Sequence, residues 1–230
     1  FMGSVYFGAM LIAIFLNLEL VVPAFKLIFI DAFNGTAIAG GTFIGVLIYG
    51  VRRGAFSNEA GMGTESLVHG VAKVSNPVKQ GLVAMTGPIF DTLIICTATA
   101  LIILISGVWE TSTSQGVTLT SEAFNLLLGD LGGFILFACV ICFGLSTIFT
   151  YSYYGATCAR FIFGSFGMNF YIYLYIIGIF IYSIVPIDIA ISIADGAFAM
   201  MAIPTLISAL WLAPKVMQES RNYFKLINNI

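Results

Sequence analysis

The sequence predicts an all-α polytopic membrane protein with about six membrane-spanning helices, one of them broken. Three observations predict this class. Apolar residues make up 60% of the chain and charged residues only 9%, whereas soluble domains average roughly 45–50% and about 25%. The mean hydropathy is +1.03. The apolar stretches are continuous and too long for strands, which favours helices over a β-barrel.

The predicted spans follow from the need for about 20 predominantly apolar residues to cross the hydrocarbon core. Residues 23–33 predict a short interfacial helix, and residues 109–130 a loop that carries a small helix. The spans cover residues 2–18, 36–51 (continuing as a broken helix to 74), 81–107, 131–158, 170–185 and 189–212.

The first apolar run follows Phe1 directly, without the basic region or the cleavage motif of a signal peptide. A complete protein rarely begins inside a membrane span, so we expect the chain to be a fragment of a longer protein.

The distribution of basic residues predicts the orientation. Cytoplasmic loops of membrane proteins carry an excess of lysine and arginine. This rule places residues 213–230 in the cytoplasm. Threading the predicted spans leaves Lys26 on one side and eight basic residues on the other, namely Arg52, Arg53, Lys73, Lys79, Arg160, Lys215, Arg221 and Lys225.

Two function classes are excluded by composition. The net charge is −2, and the cations form no cluster that could follow a nucleic-acid backbone. The four cysteines lie in or beside apolar runs, and the chain has one histidine. We therefore expect no zinc site and interpret the cysteines as small apolar groups.

The second span is short and runs into a polar, glycine-rich segment. Gly54, Gly61 and Gly63 weaken a helix here, and residues 57–59 are polar. Unwound backbone at membrane depth is tolerated only where it is buried in protein or lines a cavity. In transporters such a break marks the binding site, because freed carbonyls bind cations and helix N-termini bind carboxylates. The alternative is a glycine-rich cytoplasmic loop with solvated charges.

The fourth predicted span contains two adjacent hydroxyls, Ser146 and Thr147, one turn after the carbonyl of Phe143. Hard cations prefer oxygen ligands, so these groups are a candidate sodium site. The alternative is that both hydroxyls bond back to their own helix or join neighbouring helices.

Asp91 follows Pro88 in the third span. An ionisable group inside an apolar helix is a candidate functional residue. The alternative is a structural hydrogen bond close to the membrane surface.

Several motifs carry a resemblance to a known family. Residues 53–63 read RGAFSNEAGMG and resemble the R-G-x-F-S-N-E-A-G-x-G signature of the alanine/glycine:cation symporter family. The resemblance continues at residues 76–85 (NPVKQGLVAM), 90–100 (FDTLIICTATA), 146–155 (STIFTYSYYG) and 201–204 (MAIP). These motifs occur in the family's order and span most of the chain.

The resemblance implies a LeuT-type fold of two five-helix inverted repeats, in which this chain runs from the fifth core helix past the tenth. It also implies sodium-coupled symport of small neutral amino acids, alanine or glycine, across the plasma membrane, and no enzymatic activity. The missing amino-terminal repeat of the same protein is then a required partner, and we expect this chain not to transport alone.

The same resemblance assigns candidate site residues. The broken sixth helix lines the amino acid, and the eighth helix supplies oxygens to sodium. The bulky ring at position 56 favours small side chains. The implied substrate residues are Phe56, Ser57, Asn58, Gly61 and Thr147, and the implied sodium ligands are the Phe143 carbonyl, Ser146 and Thr147.

The chain departs from the family pattern at three places. Thr150-Tyr151 replaces Gly-Trp, Ala156 replaces glutamate and Thr205 replaces asparagine. The last two put a cytoplasmic-gate role and a tenth-helix role in doubt.

Two other functions compete with sodium symport. A proton-coupled transporter of the same fold could carry its proton on Asp91 or Glu59. An intramembrane serine protease centred on Ser146 would require His69, which is predicted at the cytoplasmic surface.

Overall fold

The computed structural model describes residues 2–33, 42–59 and 61–228. The expected start of the second span, residues 36–41, and the last two residues of the tail lie outside this part of the chain. Nearly all of the described chain is helical, as the apolar runs predict.

The first two helices, α1 (Met2–Leu16) and α2 (Leu18–Ala32), meet at Asn17 with a bend of 98°. The Asn17 side-chain amide donates a 2.9 Å hydrogen bond to the Ala13 carbonyl. α2 contains residues 23–32 of the expected interfacial helix 23–33, and it starts five residues earlier than expected.

The middle of the chain is built from short helices. α3 (Thr42–Ser57) and α4 (Thr64–His69) are separated by a turn. α5 (Pro77–Ala84) begins after Asn76, whose side chain accepts a 2.8 Å hydrogen bond from the Val78 amide. A π-helical segment, π1 (Ile89–Cys96), contains Asp91 and leads into α6 (Thr97–Ser106).

The connector after α6 carries α7 (Val108–Thr111) and α8 (Val117–Leu128). The Ser114 hydroxyl donates a 2.6 Å hydrogen bond to the Glu122 carboxylate. Hydrogen bonds from Ser112 and Ser114 hold the pKa of the Glu122 carboxyl below its usual range. These bonds fix the polar start of the connector against α8.

Two long helices complete the chain. α9 (Asp130–Tyr182) covers two of the expected spans, but Gly164 has φ 70° and ψ −157°, so two helical pieces meet there. α10 (Ile187–Asn228) continues through most of the expected cytoplasmic tail as a helix.

Three helical stretches of the described chain are long and apolar enough to cross a membrane, or up to four if the bent pair α1–α2 counts as one. This count does not decide between three, four and the expected six spans. α9 is counted once although two helical pieces meet at Gly164 within it, and α3 is described only from Thr42 onward, so the six spans stay a prediction.

The chain divides into two compact units. Unit one contains Phe1–Gly54 and Pro88–Phe149, and unit two contains Ala55–Gly87 and Thr150–Ile230. The core of unit one lies where α6 packs against α1, α2 and α8. Met10, Ile102 and Phe124 are fully buried there, and small alanines on α1, α6 and α8 allow the helices to approach closely.

Candidate functional site

The helix that carries the family-like signature is interrupted in unit two. α3 ends at Ser57 and α4 begins at Thr64. Between them Glu59, Gly61 and Gly63 have φ of 51°, 78° and 82°. Backbone in this left-handed region cannot continue an α-helix, and for residues other than glycine it costs roughly 1–2 kcal/mol.

Short-range hydrogen bonds satisfy part of the backbone in this turn. The Glu59 amide donates to the Phe56 carbonyl at 3.2 Å, and the Met62 amide donates to the Glu59 carbonyl at 3.2 Å. The Ser66 hydroxyl donates to the Gly63 carbonyl at 2.6 Å. The break is therefore a defined turn with its own hydrogen bonds.

Phe56 lies at the end of α3 and contacts α10. Its ring meets that of Phe198 edge to face, with 4.9 Å between the ring centroids. The side chain of Phe56 keeps 37% of its surface exposed. One side of the ring therefore anchors α3 while another side remains open.

The two glycines of the turn also face α10. A Cβ atom built on Gly63 would lie 2.9 Å from the Thr205 hydroxyl oxygen, and one on Gly61 would lie 4.0 Å from a methyl group of Leu206. Gly63 therefore allows a close approach that no side chain could make. Thr205 is the residue that occupies this contact.

Glu59 is tied to α9. A side-chain hydrogen bond joins the Tyr151 hydroxyl to the Glu59 carboxylate. Tyr154, on the same helix, packs its ring against Tyr151 with 5.5 Å between centroids. This bond offsets the strain of a non-glycine residue at positive φ and holds the turn in place.

Thr64, the first residue of α4, is buried with 3% of its surface exposed. Its hydroxyl oxygen has no hydrogen-bond partner within the described part of the chain. Buried polar atoms are nearly always paired with protein, water or a ligand. The end of the break thus presents one polar group that a bound molecule can satisfy.

The second set of candidate residues lies on α9 in unit one. The Ser146 hydroxyl donates to the Phe143 carbonyl at 2.9 Å, and the Thr147 hydroxyl donates to the same carbonyl at 2.9 Å. This is the back-bonding geometry expected of helical hydroxyls. It also gathers three oxygen atoms at one turn of the helix. The two hydroxyl oxygens keep lone pairs that can face a cation, whereas the Phe143 carbonyl oxygen already accepts both hydroxyl protons.

The aromatic core of unit one positions that turn. The Phe143 ring packs edge-on against Tyr6, with 6.0 Å between centroids, and Tyr6 also stacks on Phe124 at 5.8 Å. The Tyr6 hydroxyl lies 3.0 Å from the Thr99 hydroxyl. Contacts with α1 and α6 therefore fix Phe143, whose carbonyl accepts hydrogen bonds from both hydroxyls.

The structure groups the predicted site residues as follows. The substrate candidates Phe56, Ser57, Asn58 and Gly61 form the end of α3 and the turn in unit two, and Thr147 lies with the sodium candidates in unit one. Their roles stay predictions. No group of three or more potential histidine, cysteine or acidic metal ligands occurs among the described residues.

Sequence reasoning missed Thr64, Tyr151 and Phe198 as parts of this region. Thr64 directly follows the signature, and its position at the start of a helix could have indicated that it belongs to the site. The contacts of Tyr151 and Phe198 join segments far apart in the chain, and a single sequence gives no signal for such contacts.

Comparisons with known proteins agree with the motifs. Residues 1–229 match the family described as the sodium:alanine symporter family. A similar protein is the sodium/alanine symporter AgcS of Methanococcus maripaludis, 34% identical over 232 residues that cover 100% of this chain and 51% of the relative.

Two further relatives show the range of names within this group. The probable sodium/glutamine symporter GlnT of Bacillus subtilis is 33% identical over 96% of this chain and 47% of its own length. A sodium/proton-dependent alanine carrier protein of Bacillus sp. PS3 is 31% identical over 68% of this chain and 38% of its own length. The chain spans about half the length of the first two of these relatives.

The contact between Gly63 and Thr205 generates a prediction. Gly63→Ala adds a Cβ that lies 2.9 Å from the Thr205 hydroxyl and sits at φ 82°. We expect it to lower the free energy of unfolding by about 1–3 kcal/mol. Thermal and denaturant unfolding in detergent measure this change.

Two further variants separate the steric contribution to this loss of stability from the contribution of the positive φ. Gly63→Ala combined with Thr205→Ala removes the steric clash and restores only part of the loss, because the positive φ remains. Gly54→Ala is the matched control, since its Cβ meets nothing within 4 Å and alanine favours a helix. An equal loss in Gly54→Ala would contradict the assignment.

Proposed function

The chain belongs to the sodium:alanine symporter family, and from this membership we propose that the protein couples the uptake of small neutral amino acids, alanine or glycine, to sodium. The family and the apolar helices identify a multi-pass protein of the cell membrane. Symporters are transport proteins and do not form an enzyme class.

The interruption between Ser57 and Thr64 carries this proposal. A membrane helix that stops and restarts exposes polar backbone, and such breaks in transporters form solute sites. Phe56, Ser57, Asn58 and Gly61 are the residues we assign to the amino acid. The buried hydroxyl of Thr64 supports the assignment, because it provides a polar group that a bound solute can pair.

The sodium ligands we propose are the oxygens of Phe143, Ser146 and Thr147. Three oxygens at one helical turn suit a hard cation. Each hydroxyl can keep its proton bonded to its own helix and still direct a lone pair at the ion. In the LeuT-type fold that the resemblance implies, an amino-terminal repeat would provide the remaining ligands.

Coupling then follows from binding energies. Sodium offsets the charge of the amino-acid carboxylate, so each ligand raises the affinity for the other. Transport requires that the doubly loaded state prefers a different arrangement of the helices from the empty state. We further propose that the carboxy-terminal end of α10 faces the cytoplasm, because the basic residues segregate to that side.

A proton-coupled transporter of the same fold is the alternative. The relative from Bacillus sp. PS3 is named for both ions. Asp91 lies in π1, and π-helical turns are frequent at functional sites. Glu59 lies within the break itself. Either carboxyl is a candidate proton carrier.

The ion is identified by uptake into vesicles that contain the protein expressed from its complete gene. We expect alanine uptake to require sodium, and Thr147→Val to raise the sodium KM about tenfold, equivalent to about 1.4 kcal/mol of binding. Ser183→Ala is the control, because Ser183 makes the same type of hydroxyl bond to its own chain at 2.7 Å. Uptake that persists in choline and rises with acidity would establish the alternative.

Phe56 is expected to limit substrate size. Phe56→Ala removes the half-open ring and should admit larger neutral side chains such as leucine, seen as competition against labelled alanine. Phe161→Ala, at a position with 91% of its surface exposed, is the control for aromatic loss. An unchanged substrate range in Phe56→Ala would count against this role.

Thr64 offers a separate test of the break. Thr64→Val keeps the shape of the side chain and removes a buried hydroxyl without a partner, so we expect stability to be unchanged or slightly higher. If a bound amino acid pairs with this hydroxyl, the substrate KM should rise about tenfold, equivalent to about 1.4 kcal/mol. Equal KM in Thr64→Val and the wild type would remove Thr64 from the site.

A further inference from the structure

Unit two contains a groove between α5 and the carboxy-terminal part of α10, and none of the residues of the break lines it. Its volume is about 610 Å³, and apolar atoms form most of its surface. Its lining is composed of Pro77, Val78, Gly81, Leu82, Met85, Leu212, Lys215, Val216, Glu219 and Ser220.

The walls of the groove are one face of each helix. Val78 and Leu82 are four apart on α5, and Met85, the residue that follows the helix, comes three positions later. Leu212 and Val216 are four apart on α10. Residues at these spacings share one side of a helix. Leu82, Met85 and Val216 keep 40%, 71% and 63% of their surfaces exposed. The groove is thus an open apolar surface formed by one side of α5 and one side of α10.

The lining of the groove also contains two charged residues. Lys215 and Glu219 both line the groove, and their spacing of four places their Cβ atoms about 5–6 Å apart. Trp211 lies one turn before Lys215 and has 83% of its surface exposed. Exposed tryptophan and lysine at the end of an apolar helix mark the level of the lipid headgroups. The charged pair therefore lies where a headgroup lies.

We propose that this groove binds a phosphatidylethanolamine molecule. One of its two acyl chains follows the apolar faces of α5 and α10, its phosphate accepts hydrogen bonds from the Lys215 ammonium, and its primary ammonium donates to the Glu219 carboxylate. Charge-assisted hydrogen bonds of this kind are the strong ones. The groove thereby matches the headgroup in both sign and order of charge.

The same pair of charges discriminates against other common phospholipids. Phosphatidylglycerol can pair its phosphate with Lys215 in the same way, but its glycerol headgroup carries no cation, so the Glu219 carboxylate is left without a counter-ion. Phosphatidylcholine has a cation but no N–H group, so it makes no hydrogen bond to the carboxylate. Specificity of this kind depends on leaving the wrong partner with an unpaired charge.

The test measures lipid retention by native mass spectrometry of the protein expressed from its complete gene, exchanged into each of the three phospholipids. We expect phosphatidylethanolamine to bind about tenfold more tightly than the other two, equivalent to about 1.4 kcal/mol. Glu219→Gln should remove the preference over phosphatidylcholine, and Lys215→Gln should weaken the binding of every phospholipid. Lys225→Gln, on α10 but outside the groove, should change nothing.

A further variant tests the groove without altering its charges, in case the charge variants misfold. Leu82→Trp fills the apolar groove without changing charge, and it should reduce retention of all three lipids while Lys215 and Glu219 remain. Equal retention of the three lipids by the wild type, or a preference for phosphatidylglycerol, would overturn the proposal. So would a preference that survives Glu219→Gln. The measurement does not involve transport, so its outcome is independent of the proposed symport.

Discussion

The constraint on which the rest depends is that a polar backbone group in lipid must find its partner within the protein. A helix satisfies this requirement for all but its ends, and for this reason the apolar runs of the chain are helical. Between α3 and α4 the backbone leaves the helical conformation. Local hydrogen bonds satisfy the Glu59 and Met62 amides, and the buried Thr64 hydroxyl remains for another partner.

Long-range contacts stabilise the non-helical conformation of the break. Phe198 and Thr205 on α10 pack against Phe56 and Gly63, and Tyr151 on α9 binds the Glu59 carboxylate. Each contact opposes the return of this segment to a continuous helix. In unit one, the aromatic contact between Tyr6 and Phe143 plays the corresponding part, since it fixes the turn that gathers the hydroxyls. Both candidate regions thus rest on packing by residues outside the two candidate sets.

Much of the fold could be predicted from the sequence, because hydropathy along a helix is a local property. The family, the helical class and the interruption near Gly61 all follow from residues close together in the chain. The boundaries were less predictable. The two helical pieces of α9 meet at Gly164, a point set by the backbone conformation of one residue. The helical end of α10 extends through residues that are polar enough to suggest a tail.

The sequence by itself determined which residues can do the chemistry: the signature around Asn58 and the hydroxyls of Ser146 and Thr147 are visible as residue types at fixed spacing. Only the tertiary structure decided which distant residues contact these regions and fix their conformation. The contacts of Thr205 with Gly63 and of Tyr151 with Glu59 each join residues about ninety or more positions apart. The reason is physical: a side chain's identity is local, whereas its neighbours are set by how distant helices pack.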